Sequence, residues 1–326
     1  MKGFTACFAF ALVLVCACAS FSGELEPGRR LPAWALDLKD PDPMVRQAAA
    51  RGLGEAKDNT SVAMLAGVLA EDTDDTVKLA ALGALIMIDD RSAMPAYIKA
   101  LKDGNEKVRQ SAAQALSGLW DNAAQAGLIE TLKSDPSPRV RRSVAEALGN
   151  PGVMGRYSAH GWDSQEGTEG ALIQALASDE SYEVRAVAAS VLGKFKDGKA
   201  MPALLAALEK DKNESVRASA AESLGQMENP QAVNALLNTL YFEKDDTVIL
   251  SAFKALKYSS DPRLTEPAVA ALRSANPRVR WQAIDALEGV RPMSAAGQLK
   301  SIADDPGESD GIRHKAKEAL QLMGAD

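Results

Sequence analysis

Two histidines are all the imidazole this chain offers to acid–base or metal chemistry. They stand at His160 and His314, about 150 residues apart. The first lies in the stretch GRYSAHGWDSQEG, residues 155–167, with Arg156, Tyr157, Trp162 and Asp163 beside it. A catalytic or metal site needs more groups converging on one point than these. The three cysteines, Cys7, Cys16 and Cys18, all fall in the first twenty residues. The rest of the chain therefore has no disulfide, thiol nucleophile or thiolate ligand. No GxSxG, HExxH or phosphate-loop pattern occurs. The expectation is no catalytic residue, no metal and no cofactor.

The N-terminus reads as an export signal. Lys2 is followed by the apolar run Phe8 to Val15 and then by small residues, over residues 1–19. The run is much shorter than the roughly 20 residues a membrane-spanning helix needs. Two cleavage readings remain open. Val15-Cys16-Ala17-Cys18 resembles a bacterial lipobox, which makes Cys18 the lipid-bearing first residue. Ala17-Cys18-Ala19 before Ser20 also fits ordinary A-x-A export. The first is preferred, giving an exported periplasmic or cell-envelope protein held to the membrane only through its N-terminal lipid; a soluble secreted form is the alternative. Residues 20–30 then form a tether. The net charge of −7 argues against a nucleic-acid partner, which calls for a basic face.

The remainder, 31–326, is a repeat. A Val-Arg dipeptide or a near equivalent recurs at Val45, Val77, Val108, Val140, Val184, Val216, Val248, Val279 and Ile312. The steps are 31 to 33 residues, except for one of 44 between Val140 and Val184. Four residues after each anchor comes Ala, or Val144 once, and eight after it comes Leu. Apolar residues at i, i+4 and i+8 form one stripe of an α-helix. Three residues before the anchors stand Asp42, Asp74, Asn105, Ser137, Ser181, Asn213, Asp245, Asn276 and Ser309, all good helix N-caps. Pro43, Pro138 and Pro277 follow three of them, and acidic residues follow five others, as the first helical turn prefers. A second amphipathic segment precedes each cap. Each unit is thus a helix, a turn and a helix, and neither helix can bury its apolar face alone. The expectation is an all-α, right-handed α-solenoid of about nine helix-turn-helix repeats, with some eighteen helices between Leu31 and Met323. The long step is an insertion at about 150–168, with a helix resuming near Thr168.

The unit resembles the HEAT repeat in the short variety of phycobilisome lyase subunits, most closely in Val216-Arg-Ala-Ser-Ala-Ala-Glu-Ser-Leu-Gly225. That resemblance covers about 290 residues and implies a ladder of acid–arginine pairs between neighbouring repeats. Asp40, Asp72, Asp103, Asp135, Asp179 and Asp211 match the acid, five before the anchor. Arg46, Arg109, Arg141, Arg185, Arg217, Arg280 and Arg313 match the base, with Lys78 in one unit. Glu243, Ile249 and Ser274 depart from the pattern, so the ladder is expected to weaken toward the C-terminus. Some HEAT-like enzymes bind iron through His-Glu dipeptides; neither histidine here precedes Glu, which excludes that subclass. The resemblance also raises a bilin-lyase-like, cofactor-handling alternative acting through the 150–168 loop. The preferred reading is a non-enzymatic scaffold or adaptor of the bacterial cell envelope, because fold alone does not establish catalysis.

A partner would sit on the second helices, which line the concave face in HEAT-type solenoids. Offsets 2, 6 and 9 from the anchor should face away from the core. At offset 2, Leu250 and Trp281 on adjacent units are large and apolar where most units have polar or small residues, and exposed aromatics commonly anchor interfaces. Lys254, Lys257, Asp285 and Glu288 would form a charged rim. Leu79 and Ile86 form a weaker apolar spot, read as core. His314 reads as a surface residue. In the insertion, Arg156, Tyr157, His160 and Trp162 are second-choice contacts, the first choice being a tolerated surface insertion. For the N-terminus the expected outcome is palmitate-analogue incorporation into the wild type and none into Cys18→Ala; an unlabelled wild type would reject the lipid anchor.

Overall fold

The computed structural model describes residues 31–117, 121–150, 165–195, 198–227 and 229–325. Cys18, and Arg156, Tyr157, His160 and Trp162 of the insertion, lie outside the described residues. Among those described there are eighteen α-helices and no strand. They fall into two compact units divided at Asp90. The first holds α1 (Leu31–Asp37), α2 (Pro43–Glu55), α3 (Val62–Glu71) and α4 (Asp75–Ile88). The second holds seven further pairs: α5 (Met94–Ala100) and α6 (Glu106–Leu116), α7 (Asn122–Ser134) and α8 (Pro138–Leu148), α9 (Gln165–Ser178) and α10 (Tyr182–Phe195), α11 (Met201–Lys210) and α12 (Glu214–Gly225), α13 (Pro230–Phe242) and α14 (Asp246–Ala255), α15 (Thr265–Ala271) and α16 (Pro277–Val290), and α17 (Ala296–Asp304) and α18 (Asp310–Met323). The architecture is the expected all-α solenoid of stacked helix pairs. The helix after the insertion starts at Gln165 rather than near Thr168. Thr168 is buried there, and its Oγ1 accepts from Gln125 Nε2 at 2.6 Å.

Each second helix begins where its cap places it. Asp42, Asp74, Asn105, Asn213, Asp245, Asn276 and Ser309 all accept a backbone N–H of the first turn. These bonds satisfy donors that have no partner within the helix. Ser137 occupies the cap position without a side-chain bond, and Pro138 removes one of the orphan donors there. The predicted stripe is the core. The residues four after the anchors, Ala49 through Ala316, are fully buried, and the leucines eight after them are 6% exposed at most. Burying a leucine contributes about 1.5–3 kcal/mol, and the alanines let neighbouring helices approach.

Offset 9 corrects the expectation of an outward face. In the units with glycine there it is the close crossing of successive second helices, whereas Ile86 and Lys257 at the same offset are exposed. A Cβ on Gly193 would lie 2.6 Å from Ser223 Cβ, and one on Gly225 would lie 2.5 Å from Ala255 Cβ. Glycine stands there because the next helix occupies the space.

The ladder ties turns rather than helix middles. Arg185 gives Nε and Nη2 to the two carboxylate oxygens of Asp211 at 2.7 and 2.9 Å, and its Nη1 to the carbonyls of Asp179 and Glu180. Asp211 in turn accepts the backbone N–H of Asn213, the cap of α12. One arginine thus fixes its own turn and, through the acid, the next. Arg46–Asp72 does this in the first unit, and Arg109–Asp135, Arg141–Asp179 and Arg217–Glu243 do so in the second. Arg141 bridges 38 residues instead of the usual 26, so the rung closes over the insertion and keeps α8 and α10 in register.

The ladder does not fade toward the C-terminus as expected. Glu243 substitutes for Asp and keeps its rung, and Arg280 finds Glu308 at 2.6 Å. Among the described residues of the second unit, the one junction without a rung is α14/α16, where Ile249 and Ser274 occupy the arginine and acid positions.

These pairs make stability depend on acid. The bond from Arg46 holds Asp72 below the ordinary 3.8, and that from Arg280 holds Glu308 below 4.5. Burial pushes Asp211 and Glu243 upward as the largest single influence, but their arginines and turn N–H groups together leave both below the ordinary values. A depressed folded pKa adds stability that is full above the unfolded value and lost as pH falls through the folded one. The melting temperature should therefore fall as pH drops below about 4.5 and continue falling below about 3.8. A profile flat to pH 3, followed by circular dichroism at 222 nm, would count against the ladder.

Candidate functional site

On the second unit, α14 and α16 leave an open groove of about 510 Å³ between them. Leu250 and Lys254 line it from α14, and Arg278, Trp281 and Gln282 from α16, with Glu222 of α12 at its edge. Leu250 is half-buried and packs against the core cluster built from α14 to α18, so it forms floor rather than a free patch. Trp281 is 40% exposed. Its ring lies 5.7 Å from the Lys315 ammonium of α18, a cation–π spacing. A Cβ on Gly311 would lie 3.7 Å from the indole, in ordinary contact with it.

The rim differs from expectation. Asp285 and Glu288 do not face a partner as free charges: both engage Lys315, at 2.9 and 2.6 Å, and all three side chains are largely buried. Burial works against the lysine's charge, but the two carboxylates raise its pKa above the ordinary value. The cluster thus holds the Trp281 ring from beneath. Lys254 does reach the groove, exposed, with Nζ 3.1 Å from Glu222 Oε1. Glu222 also accepts from Ser251 Oγ at 3.4 Å. Lys257 is exposed and lies against Tyr258 instead. Sequence reasoning missed Arg278. It sits three residues before Trp281 on the same helix face, exposed, and its guanidinium makes no ion pair or hydrogen bond among the described residues. Its signal was an exposed cation one turn from an exposed aromatic. His314 is on the surface, 3.4 Å from Glu318. Leu79 is half-buried and Ile86 is 45% exposed. Among the described residues no group of three or more His, Cys, Asp or Glu is placed to hold a metal ion, and no helix is long and apolar enough to cross a membrane.

A profile of HEAT repeats matches residues 33–86, 68–149 and 170–257. The chain belongs to the HEAT-repeat family. Solved structures carry the same HEAT architecture. An engineered protein superposes with a TM-score of 0.52 at 20% identity, over 90% of this chain and 88% of that one. YibA of E. coli gives 0.58 at 18%, over 84% and 96%. Yeast importin-β, Kap95p, in a structure with RanGDP, gives 0.66 at 16%, over 90% of this chain but only 45% of its own length. At these identities the likeness shows the fold alone. No curated protein sequence matches the chain.

Proposed function

We propose that this HEAT array is a non-catalytic scaffold that binds a protein partner through the groove centred on Trp281. The observation that carries the reading is an exposed tryptophan fixed from behind by Lys315 over an apolar floor. A rigid aromatic loses little conformational freedom on binding, which is why tryptophan dominates interface hot spots. Kap95p, of the same architecture, engages a protein, RanGDP. The array acts in the cell envelope, exported by residues 1–19 and anchored through Cys18, with residues 20–30 as tether. The insertion residues Arg156, Tyr157, His160 and Trp162 serve as a secondary contact.

The test is site-specific photocross-linking in the native host. A photoreactive residue in place of Gln282, which lines the groove beside Trp281, should give a discrete protein adduct, whereas one at Glu209, exposed on α11, should give none. Trp281→Ala should shift the melting temperature by no more than about 2 °C while abolishing partner capture. A large loss of stability with capture intact would reject the reading.

A further inference from the structure

Five junctions between successive second helices in the second unit carry an arginine–acid rung, and the sixth, α14/α16, carries none. Both members are replaced at once. Ile249 stands where the arginine would be and packs against the core cluster. Ser274 stands where the acid would be and keeps only the local part of its role: its Oγ accepts the Asn276 N–H at 3.1 Å, and its carbonyl still accepts from Arg280. Losing one member would leave a charge unpaired; losing both leaves the two turns joined by the exposed bond from Asn276 Nδ2 to Asp246 Oδ2 at 3.0 Å in place of a rung. α14 and α16 are also the most sparsely packed of these helix pairs. The groove opens at this junction.

Its charges are unequal. Glu222 is taken up by Lys254 and Ser251, and Asp285 and Glu288 by Lys315. Arg278 remains, exposed and without a side-chain partner among the described residues. A guanidinium is a planar fork of donors matched to a carboxylate. Beside it are the Trp281 ring and the Leu250 floor. Resting on the protein-binding reading above, we propose that loss of the rung opens this groove for an acidic peptide segment of the partner. A large apolar side chain seats between Leu250 and Trp281, and a neighbouring carboxylate sits on Arg278. Recognition of this kind combines a buried anchor with a charge that sets register.

The experiment uses the chain from residue 20 onward and two labelled octapeptides of Gly and Ser. One carries a Phe flanked by Asp on both sides, and the other the same Phe flanked by Lys. Fluorescence anisotropy should show the acidic peptide binding at least tenfold tighter than the basic one. Arg278→Glu and Trp281→Ala should each weaken it at least tenfold, whereas Arg273→Glu, an exposed arginine outside the groove, should not change it. The double variant Ile249→Arg/Ser274→Asp supplies the missing rung. It should keep its helical signal and bind the acidic peptide at least fivefold more weakly. Equal binding of the two peptides, no binding of either, or full binding by the rung-restored variant would overturn the proposal. So would a Trp281-dependent dimer in sedimentation, which assigns the groove to a second copy. If both peptides fail while cross-links at position 282 persist, the acidic occupant is rejected and the protein-binding reading stands.

Discussion

An arginine fork gripping two turns at once is the interaction on which this structure depends. The apolar stripe supplies most of the driving force, but it is non-directional. Alanines and leucines repeated nine times could stack in more than one register. The fork removes that freedom. Its Nη1 donates to carbonyls of its own turn, and its Nε and Nη2 hold the acid of the next, which itself fixes the cap of the next helix. Arg141 shows the arrangement at full use: all five of its N–H groups are occupied by Asp179, Glu180 and the carbonyls of Asp135 and Pro136. Such bonds add little net stability when they merely replace water. Breaking one member costs far more, because the survivor is left largely buried and unpaired.

The proposed binding groove lies where the ladder is interrupted. At α14/α16 both members of the rung are replaced, and a groove opens there with an indole and a guanidinium that is unpaired among the described residues. The Lys315 cluster gives the tryptophan the rigidity that the absent rung no longer gives the junction.

Much of this was legible in the sequence because a repeat samples each position nine times. Anchors, stripe and caps follow from residue type and spacing, and Trp281 stood out against small or polar residues in equivalent places. What was not legible depends on two helices meeting. The offset-9 glycines look outward on a single helix, and only the crossing with the next repeat shows that a Cβ would collide. Asp285 and Glu288 look like a rim until α18 delivers Lys315 between them. Glu308 was missed as the last ladder acid because Gly307 holds the expected position and the turn presents its neighbour instead. Ile249 and Ser274 were each seen as departures; that they are partners in one absent rung emerges only from the pairing of the others.

The forks hold successive repeats in register, and a double-mutant cycle on Arg185 and Asp211 tests this most directly. Both side chains are largely buried, at 16% and 10% exposure. Comparing wild type, Arg185→Gln, Asp211→Asn and the double variant by urea unfolding should give a coupling of about 2 kcal/mol. A coupling below about 0.5 kcal/mol, the level of an exposed surface pair, would contradict the account.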